Sequence, residues 1–129
     1  MREIVVGTDC SGASRAALVF AGKLGRDTGA HLTVVSVNRA VARGGRAART
    51  QAELARRQAA EVLDPLHVHW RIEARAGDPA AELDRVADDH AADLIVVAGR
   101  GRTMAQRLLL EAVSSRLAHH AAHPVLVVR

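Results

Sequence analysis

Short apolar runs alternate with longer segments of helical periodicity along this chain, and this alternation constrains its fold more than any other feature. The runs Ile4–Val6, Leu94–Val97 and Val125–Val128 contain no polar residue, and Leu32–Val37 is rich in β-branched residues. Unbroken apolar runs of this length are typical of strands covered on both faces. Because strands that alternate with helices form right-handed crossovers, the pattern predicts a parallel sheet with helices on both faces.

A fifth strand is predicted in the segment His67–Arg75, where polar and apolar residues alternate strictly. Its apolar face is formed by Val68, Trp70, Ile72 and Ala74. Alternation indicates that one face of the strand is exposed to solvent, so we expect this strand at an edge of the sheet. The predicted fold class is therefore a five-stranded, doubly wound α/β domain.

Capping residues mark both ends of the first predicted helix. Ser11 or Ser14 can cap its N-terminus, and Gly29 is well placed to end it. Helical spacing then predicts the apolar positions of this helix, which are Ala17, Phe20, Ala21 and Leu24.

Two further helices are predicted from similar signals. One spans residues 47–63 and is stopped by Pro65, which cannot continue a helix. The other starts at the pair Asp78-Pro79, a cap followed by proline at the first helical position, and runs to about Ala91. The segment Arg39–Arg49 is rich in arginine and glycine and is predicted to be largely a loop.

Length and composition predict one globular domain over residues 1–129, with a mean hydropathy of +0.02. No apolar run approaches the roughly 20 residues that a membrane span needs. The first strand begins at Glu3, which leaves no room for a signal peptide. Cys10 is the only cysteine, so an internal disulfide is excluded and a reducing cytoplasm is the expected location.

The net charge of +4 comes almost entirely from arginine, since Lys23 is the only lysine. Excess positive charge raises affinity for anions in general. Aromatic residues make up only 2% of the chain, and none is interleaved with the arginines to stack on bases. Nucleic acid is therefore not the expected partner; nonspecific binding through residues 39–57 would reveal itself by a steep fall of affinity with salt.

The loops that follow the parallel strands are the predicted ligand site. In open α/β sheets, ligands bind beyond the carboxyl ends of the strands where the strand order reverses. Here that rim carries Thr8–Cys10, Ser36–Asn38 and Ala98–Thr103. Asp9 can accept hydrogen bonds from a ribose or an adenine amino group, and the backbone of Gly101, Arg102 and Thr103 can face phosphates.

At this point the sequence resembles the universal stress proteins over essentially its whole length. The segments that resemble this family are Ile4–Asp9, Gly77–Pro79, Asp93–Val97, the Gly-Arg pair at 101–102, Arg107–Leu110 and His123–Val128. The resemblance implies the adenine-nucleotide alpha-hydrolase-like fold. It also implies a cytoplasmic stress-response protein that is usually a homodimer and in many members holds ATP. It matches Asp9 to an adenosine contact and Val37 to a residue that lines the adenine.

In the family that this sequence resembles, the ATP-binding members carry a motif of Gly, two residues, Gly, nine residues, and Gly followed by Ser or Thr. The corresponding positions here are Ala98, Gly101, Glu111 and Ala112, with Gly99 offering turn flexibility beside Ala98. A glutamate near triphosphate adds repulsion of order 1–3 kcal/mol, about tenfold to a hundredfold in affinity. Alternatively, Glu111 can bend outward or bind a Mg²⁺ that bridges to the phosphates. Nearby arginines can also offset its charge; these are Arg43, Arg46, Arg100, Arg102 and Arg107.

These departures favour a dimeric binding or signalling module in the stress response that needs no cofactor and is not an enzyme. The alternative is a nucleotide-dependent switch or slow ATPase that uses ATP with Mg²⁺. Its site residues would be Asp9, Gly101, Arg102 and Thr103. A simple helix cap is the competing role for Asp9.

The terminal strand is the predicted partner site. Val125, Leu126, Val127 and Val128 run to the end of the sequence, so no later segment covers their outer edge. An uncovered apolar edge favours pairing with a second copy across a two-fold axis. We therefore predict a homodimer, with a further protein partner possible and no membrane association.

Other reactive residues have simpler interpretations beside the functional ones. Cys10 lies between a strand end and a helix N-terminus, a setting that lowers a thiol pKa and favours redox reactivity; otherwise it is a small loop residue. His119 and His123 have a spacing that can bind metal, but histidines in a last helical turn also interact with the helix dipole. No nucleophile elbow or Walker loop is present, so no catalytic residue or metal site is predicted.

Overall fold

The computed structural model describes residues 1–38, 45–99, 112–119 and 121–129. The strands are β1 (Glu3–Thr8), β2 (His31–Asn38), β3 (Trp70–Ala76), β4 (Leu94–Ala98) and β5 (Val125–Val128). The helices are α1 (Gly12–Thr28), α2 (Arg46–Leu63), α3 (Pro79–Asp89) and α4 (residues 112–119), and a 3-10 turn spans Asp64–Leu66.

The five strands form one parallel sheet in the order β3-β2-β1-β4-β5. The predicted doubly wound α/β fold is therefore confirmed, with β3 and β5 at the two edges as expected. The strand order reverses between β1 and β4, where loops that follow the two strands diverge to opposite sides. This divergence opens a crevice at the carboxyl ends of the central strands.

Each face of the sheet is covered by a separate apolar layer, because successive side chains of a strand point to opposite faces. Ile4 and Val6 of β1 pack on one side with residues of α1 and α2. Val5 packs on the other side with residues of α3 and α4. All three of these β1 residues are fully buried, which explains why their run contains no polar residue.

Helix α1 begins and ends as predicted, but its buried face is rotated from the predicted one. Ser11 is the cap, and its Oγ accepts the Ser14 N–H at 3.1 Å. Gly29 ends the helix in the left-handed conformation, with φ at 76°.

The prediction that Phe20 faces the core is wrong, since 46% of it is exposed. The buried face runs instead through Ala17, Leu18, Ala21, Gly22 and Gly25. A Cβ at Gly22 would lie 2.7 Å from a Leu66 methyl, and one at Gly25 would lie 2.4 Å from a Leu32 methyl. The glycines let these leucines approach the helix, so α1 turns this side toward the sheet.

The edge strand β3 differs from its prediction at the start and on its polar face. It begins at Trp70, because the backbone turns at His67 in the left-handed conformation, with φ at 56°. The polar face is not only exposed to solvent but also carries ion pairs. Arg75 pairs with Glu73 at 3.0 Å and with Asp89 of α3 at 3.2 Å. Charged groups of α3 therefore cover the face that the alternation assigned to water.

Candidate functional site

A cavity of about 240 Å³ lies at the carboxyl ends of β1, β2 and β4, at the reversal of strand order. Its volume is close to the lower end of the roughly 300–1,000 Å³ of small-molecule sites. Most of its lining is apolar. The described lining residues are Gly7, Thr8, Asp9, Ser14, Val35, Val37, Gln51, Pro79, Leu83, Val97, Ala98 and Val113.

The turn after β1 is organised by the Asp9 side chain. Asp9 Oδ1 accepts the Ser11 N–H at 2.9 Å and the Ser14 hydroxyl at 2.5 Å. In return, the Asp9 N–H donates to Ser14 Oγ at 2.9 Å. Cys10, between these partners, is held in the left-handed region with φ at 67°. The competing interpretation of Asp9 as a helix cap is wrong, because Ser11 caps α1 and Asp9 holds the turn before it.

Helix α2 braces the same turn through Gln58. Thr8 Oγ1 donates to Gln58 Oε1 at 2.9 Å and accepts the Cys10 N–H at 3.1 Å. Gln58 Nε2 donates to the Ser11 carbonyl at 3.1 Å. The turn is thus tied both to its own helix and to α2, which makes it a rigid wall for the cavity.

Two polar groups that line the cavity keep hydrogen-bonding capacity. Within the described residues, Asp9 Oδ2 and Gln51 Oε1 have no hydrogen-bond partner. Among the residues that the structure describes, Gln51 Nε2 donates only to the Val37 carbonyl, at 3.4 Å. Such a distance is long for an N–H···O bond. The cavity therefore offers a carboxylate oxygen and a side-chain amide to a ligand.

Sequence reasoning missed Gln51 and Gln58 as site residues. Both lie on the face of α2 that also carries the fully buried Ala55 and Ala59. An uncharged polar side chain on the apolar stripe of an arginine-rich helix was the available signal, since such a position commonly marks a specific hydrogen bond.

Three of the residues predicted for the site lie together: Asp9, Val37 and Ala98 all line the cavity. Gly99 is next to it and packs against β5. A Cβ at Gly99 would lie 2.5 Å from Val127 Cγ1, and its N–H donates to the Val128 carbonyl at 2.8 Å. Gly99 therefore permits close packing of β4 on β5, a role beyond the turn flexibility predicted for it.

The phosphate half of the predicted site falls outside the described residues. This applies to Gly101, Arg102, Thr103 and Glu111, and to Arg43, Arg100 and Arg107. Ala112 is the first described residue of α4 and is exposed. Arg46 and Arg49 are exposed on the first turns of α2. The roles of all these residues toward a ligand stay predictions.

The expectation of a low Cys10 pKa is wrong. Burial raises the pKa of the Cys10 thiol, and the Asp9 carboxylate beside it raises the pKa further. Both effects disfavour the negative thiolate. The Sγ atom lies 3.9 Å from the Gln51 carbonyl oxygen. The effect of desolvation, which raises the thiol pKa, is thus larger than the pKa-lowering effect of the helix N-terminus on which the expectation was based.

His123 is engaged by helix α3 and does not share a described helix with His119. Its Nδ1 lies 3.3 Å from an Asp84 oxygen, and its Nε2 lies 3.4 Å from an Asp88 oxygen. The two carboxylates meet opposite sides of the ring and do not converge on one point. Among the described residues, no group of three or more His, Cys, Asp or Glu side chains is arranged to hold a metal.

The strand order and the crevice at its reversal define a doubly wound α/β protein, and in such folds the switch point is where ligands bind. The profile of the Universal stress protein family matches residues 1–129, so the chain belongs to this family. The resemblance inferred from the sequence is thereby confirmed.

Individual relatives agree with this assignment. A universal stress protein from Methanothermobacter thermautotrophicus is 36% identical over 63 residues, which cover 49% of this chain and 42% of that protein. The match therefore spans less than half the length of this curated relative.

Solved structures share the fold over almost the whole chain. A universal stress protein in complex with cAMP has 27% identity and a TM-score of 0.79, with 99% of this chain and 97% of that chain covered. UspA from Lactobacillus plantarum has 26% identity and a TM-score of 0.71, with 99% and 97% covered. A universal stress protein from Archaeoglobus fulgidus has 21% identity and a TM-score of 0.84, with 100% and 99% covered.

None of the helices in the described parts of the chain is long and apolar enough to cross a membrane.

Proposed function

We propose that this universal stress protein is a dimeric, non-enzymatic signalling module of the cytoplasm that binds an adenine nucleoside monophosphate. The observation on which this rests is the cavity at the switch point, which is mostly apolar and presents Asp9 Oδ2 and the Gln51 amide as spare polar groups. An apolar pocket with a few convergent polar groups is the usual architecture of a small-molecule site.

The nucleoside half of the site is supported by the described residues. Val35, Val37 and Leu83 provide apolar surface for a planar base. Asp9 is held by Ser11 and Ser14 through one oxygen, which leaves the other oxygen for a ribose hydroxyl. A related universal stress protein of 27% identity was solved in complex with cAMP, a ligand with one phosphate. This relative supports an adenine nucleotide as the ligand class.

The phosphate half of the motif departs from the ATP-binding pattern of the family. Ala98 and Glu111 replace two glycines of that pattern, and Ala112 replaces the hydroxyl residue. The electrostatic repulsion between a glutamate and a triphosphate is stronger than that between a glutamate and a monophosphate, because repulsion grows with the charge of the ligand. We therefore propose that a monophosphate is the physiological ligand and that the protein does not depend on ATP.

The turn after β1 supports a binding role over catalysis. Its hydroxyls are engaged in holding the turn, since Thr8 bonds to Gln58 and Ser14 bonds to Asp9. The thiol of Cys10 has a raised pKa and is therefore a poor nucleophile at neutral pH. Signalling would then act through ligand-dependent contact with a partner, without turnover.

The proposed dimer uses the edge strand β5. The side chains of Val125–Val128 are half-buried, and among the described residues β5 pairs only with β4. An edge strand of apolar residues is a template for pairing with another chain. A two-fold axis at this edge would join two sheets into one.

Calorimetric titration of the purified protein with AMP and with Mg-ATP tests the proposed ligand. We expect AMP to bind at least as tightly as Mg-ATP. The double variant Glu111→Gly, Ala112→Ser should gain about tenfold to a hundredfold for Mg-ATP while AMP affinity stays within about twofold. The matched control is Ser115→Ala on the exposed face of α4. Tighter binding of Mg-ATP than of AMP by the natural sequence would favour the nucleotide-switch alternative, and no binding of either would overturn the proposed ligand.

A further inference from the structure

Gln51 lies on helix α2 and its side chain lines the cavity. A role for Gln51 in ligand selection rests on the proposed nucleotide-binding function. Gln51 is half-buried, and its Nε2 lies 3.4 Å from the carbonyl oxygen of Val37 at the end of β2. This contact brings the first part of α2 against the strand that supplies the apolar wall for a base. Gln51 thus lies beside the apolar wall that the proposed function assigns to the base.

The other polar side chains of the cavity are used within the protein. Thr8 is bonded to Gln58 and to the Cys10 N–H. Ser14 both donates to and accepts from Asp9. Asp9 retains one oxygen, and an ionised carboxylate can accept hydrogen bonds but cannot donate them. Among the described lining residues, Gln51 is therefore the one side chain that can both donate and accept a hydrogen bond from a ligand.

An amide suits one kind of purine edge. The 6-amino purine presents a donor at N6 beside an acceptor at N7, and a glutamine amide meets this pair with one acceptor and one donor. A 6-oxo purine presents two acceptors at the same edge, so the amide can satisfy only one of them. A site built to hydrogen-bond an amino group discriminates against an analogue that lacks it, because its own polar group is then left unpaired.

We propose that Gln51 is the base-reading residue of this cavity and that it selects 6-amino purines over 6-oxo purines. Its existing bond to the Val37 carbonyl is long and therefore weak, so the amide can exchange this partner for a base. The bond also holds the side chain at the cavity wall when no ligand is bound, which limits the ordering that binding requires.

The test compares AMP with IMP, which differ at position 6 of the purine, by calorimetric titration of the full chain. We expect the natural protein to prefer AMP by about tenfold, the effect of roughly one good hydrogen bond. Gln51→Met keeps the length of the side chain and removes both polar groups. It should reduce the AMP-to-IMP preference to about twofold or less.

Gln58→Ala is the matched control, since it removes a glutamine from the same helix that does not line the cavity. It should weaken both ligands together and leave their ratio unchanged. If Gln51→Met retains the full AMP preference, Gln51 does not read the base and the inference is wrong while the proposed function stands. If the natural protein binds neither AMP nor IMP, the proposed function fails and the inference fails with it.

Discussion

Asp9 and Ser14 are bonded to each other in both directions: the Ser14 hydroxyl donates to Asp9 Oδ1 at 2.5 Å and accepts the Asp9 N–H at 2.9 Å. Ser14 is 1% exposed and Asp9 is half-buried, so the Ser14 side of this pair is shielded from water. The two bonds fix the Asp9 carboxylate at the mouth of β1. The position of this cavity-lining carboxylate therefore depends on a residue in the first turn of α1.

Ser14→Ala should lower the free energy of unfolding by about 1–3 kcal/mol, because it removes both hydrogen bonds of this pair and leaves Asp9 Oδ1 with only the Ser11 N–H. Urea denaturation followed by circular dichroism measures this change. Ser115→Ala provides the comparison, since Ser115 is exposed and its replacement should alter stability by less than about 0.5 kcal/mol. Equal stability of the two variants would contradict the structural role of the Asp9–Ser14 pair.

Cys10 should react slowly with iodoacetamide at neutral pH. Burial and the Asp9 charge raise the thiol pKa above its ordinary value of 9.0, so less thiolate is present than in an unfolded chain. The alkylation rate at pH 7.5, followed by mass spectrometry, should be several-fold lower in the folded protein than in the same protein in urea. It should rise steeply above pH 9. A folded protein that reacts faster than the unfolded chain would indicate an activated thiol and contradict this account.

Asp93 should contribute to stability at neutral pH and lose that contribution in acid. Its Oδ2 accepts the N–H groups of Arg2 at 2.7 Å and Glu3 at 3.1 Å, and these bonds lower the pKa of the carboxyl from its ordinary 3.8. A lowered folded-state pKa gives stability that is complete above the unfolded pKa and lost as pH falls through the folded value. The relevant interval therefore lies below about pH 4.

Urea denaturation of the natural protein and of Asp93→Asn at pH 7 and at pH 3 isolates this effect from other carboxyl groups. The stability difference between the two proteins should be largest at pH 7 and should shrink at pH 3. Asp27→Asn, at an exposed site of α1, should change stability at pH 7 by less than about 0.5 kcal/mol. A difference that stays constant, or grows, between pH 7 and pH 3 would show that the carboxylate is not the stabilising form.

Val127→Pro should dissociate the proposed dimer without unfolding the subunit. The Pro124 carbonyl accepts the Ile95 N–H of β4, and the Val128 carbonyl accepts the N–H of Gly99 just after β4. Because backbone groups of alternate residues point to opposite sides of a strand, the Val127 N–H faces the free edge. Proline there removes an outward donor only. Leu126→Pro removes a donor that faces β4 and should destabilise the subunit itself. Sedimentation and circular dichroism distinguish the two results, and a Val127→Pro protein that remains dimeric would exclude pairing through β5.

The sequence predicted the sheet, the edge position of β3 and the caps of α1 and α3, because these depend on local patterns. Ser11, Gly29 and Asp78 act on backbone groups within a few residues of themselves. The buried face of α1 was not predictable in the same way. It depends on leucines that approach Gly22 and Gly25 from β2 and from the turn after α2, and such contacts leave no signal within the helix.

The candidate site was predicted in part for the same reason. Asp9 directly follows β1 and Val37 lies near the carboxyl end of β2, so their place at the crevice follows from topology. Gln51 and Gln58 reach the site from α2, and Gln58 contacts Thr8 across 50 positions of sequence. The raised pKa of Cys10 depends on how deeply the turn is buried, which no local pattern encodes.

The most direct test of the central claim is a titration of ¹⁵N-labelled protein with AMP, followed by two-dimensional NMR. We expect the largest amide shifts at Asp9, Val37 and Gln51, and no change in the amides of the distant turn at Asp64–Leu66. Spectra that do not change with AMP, or shifts that are confined to residues away from the cavity, would contradict the claim that this crevice binds an adenine nucleotide.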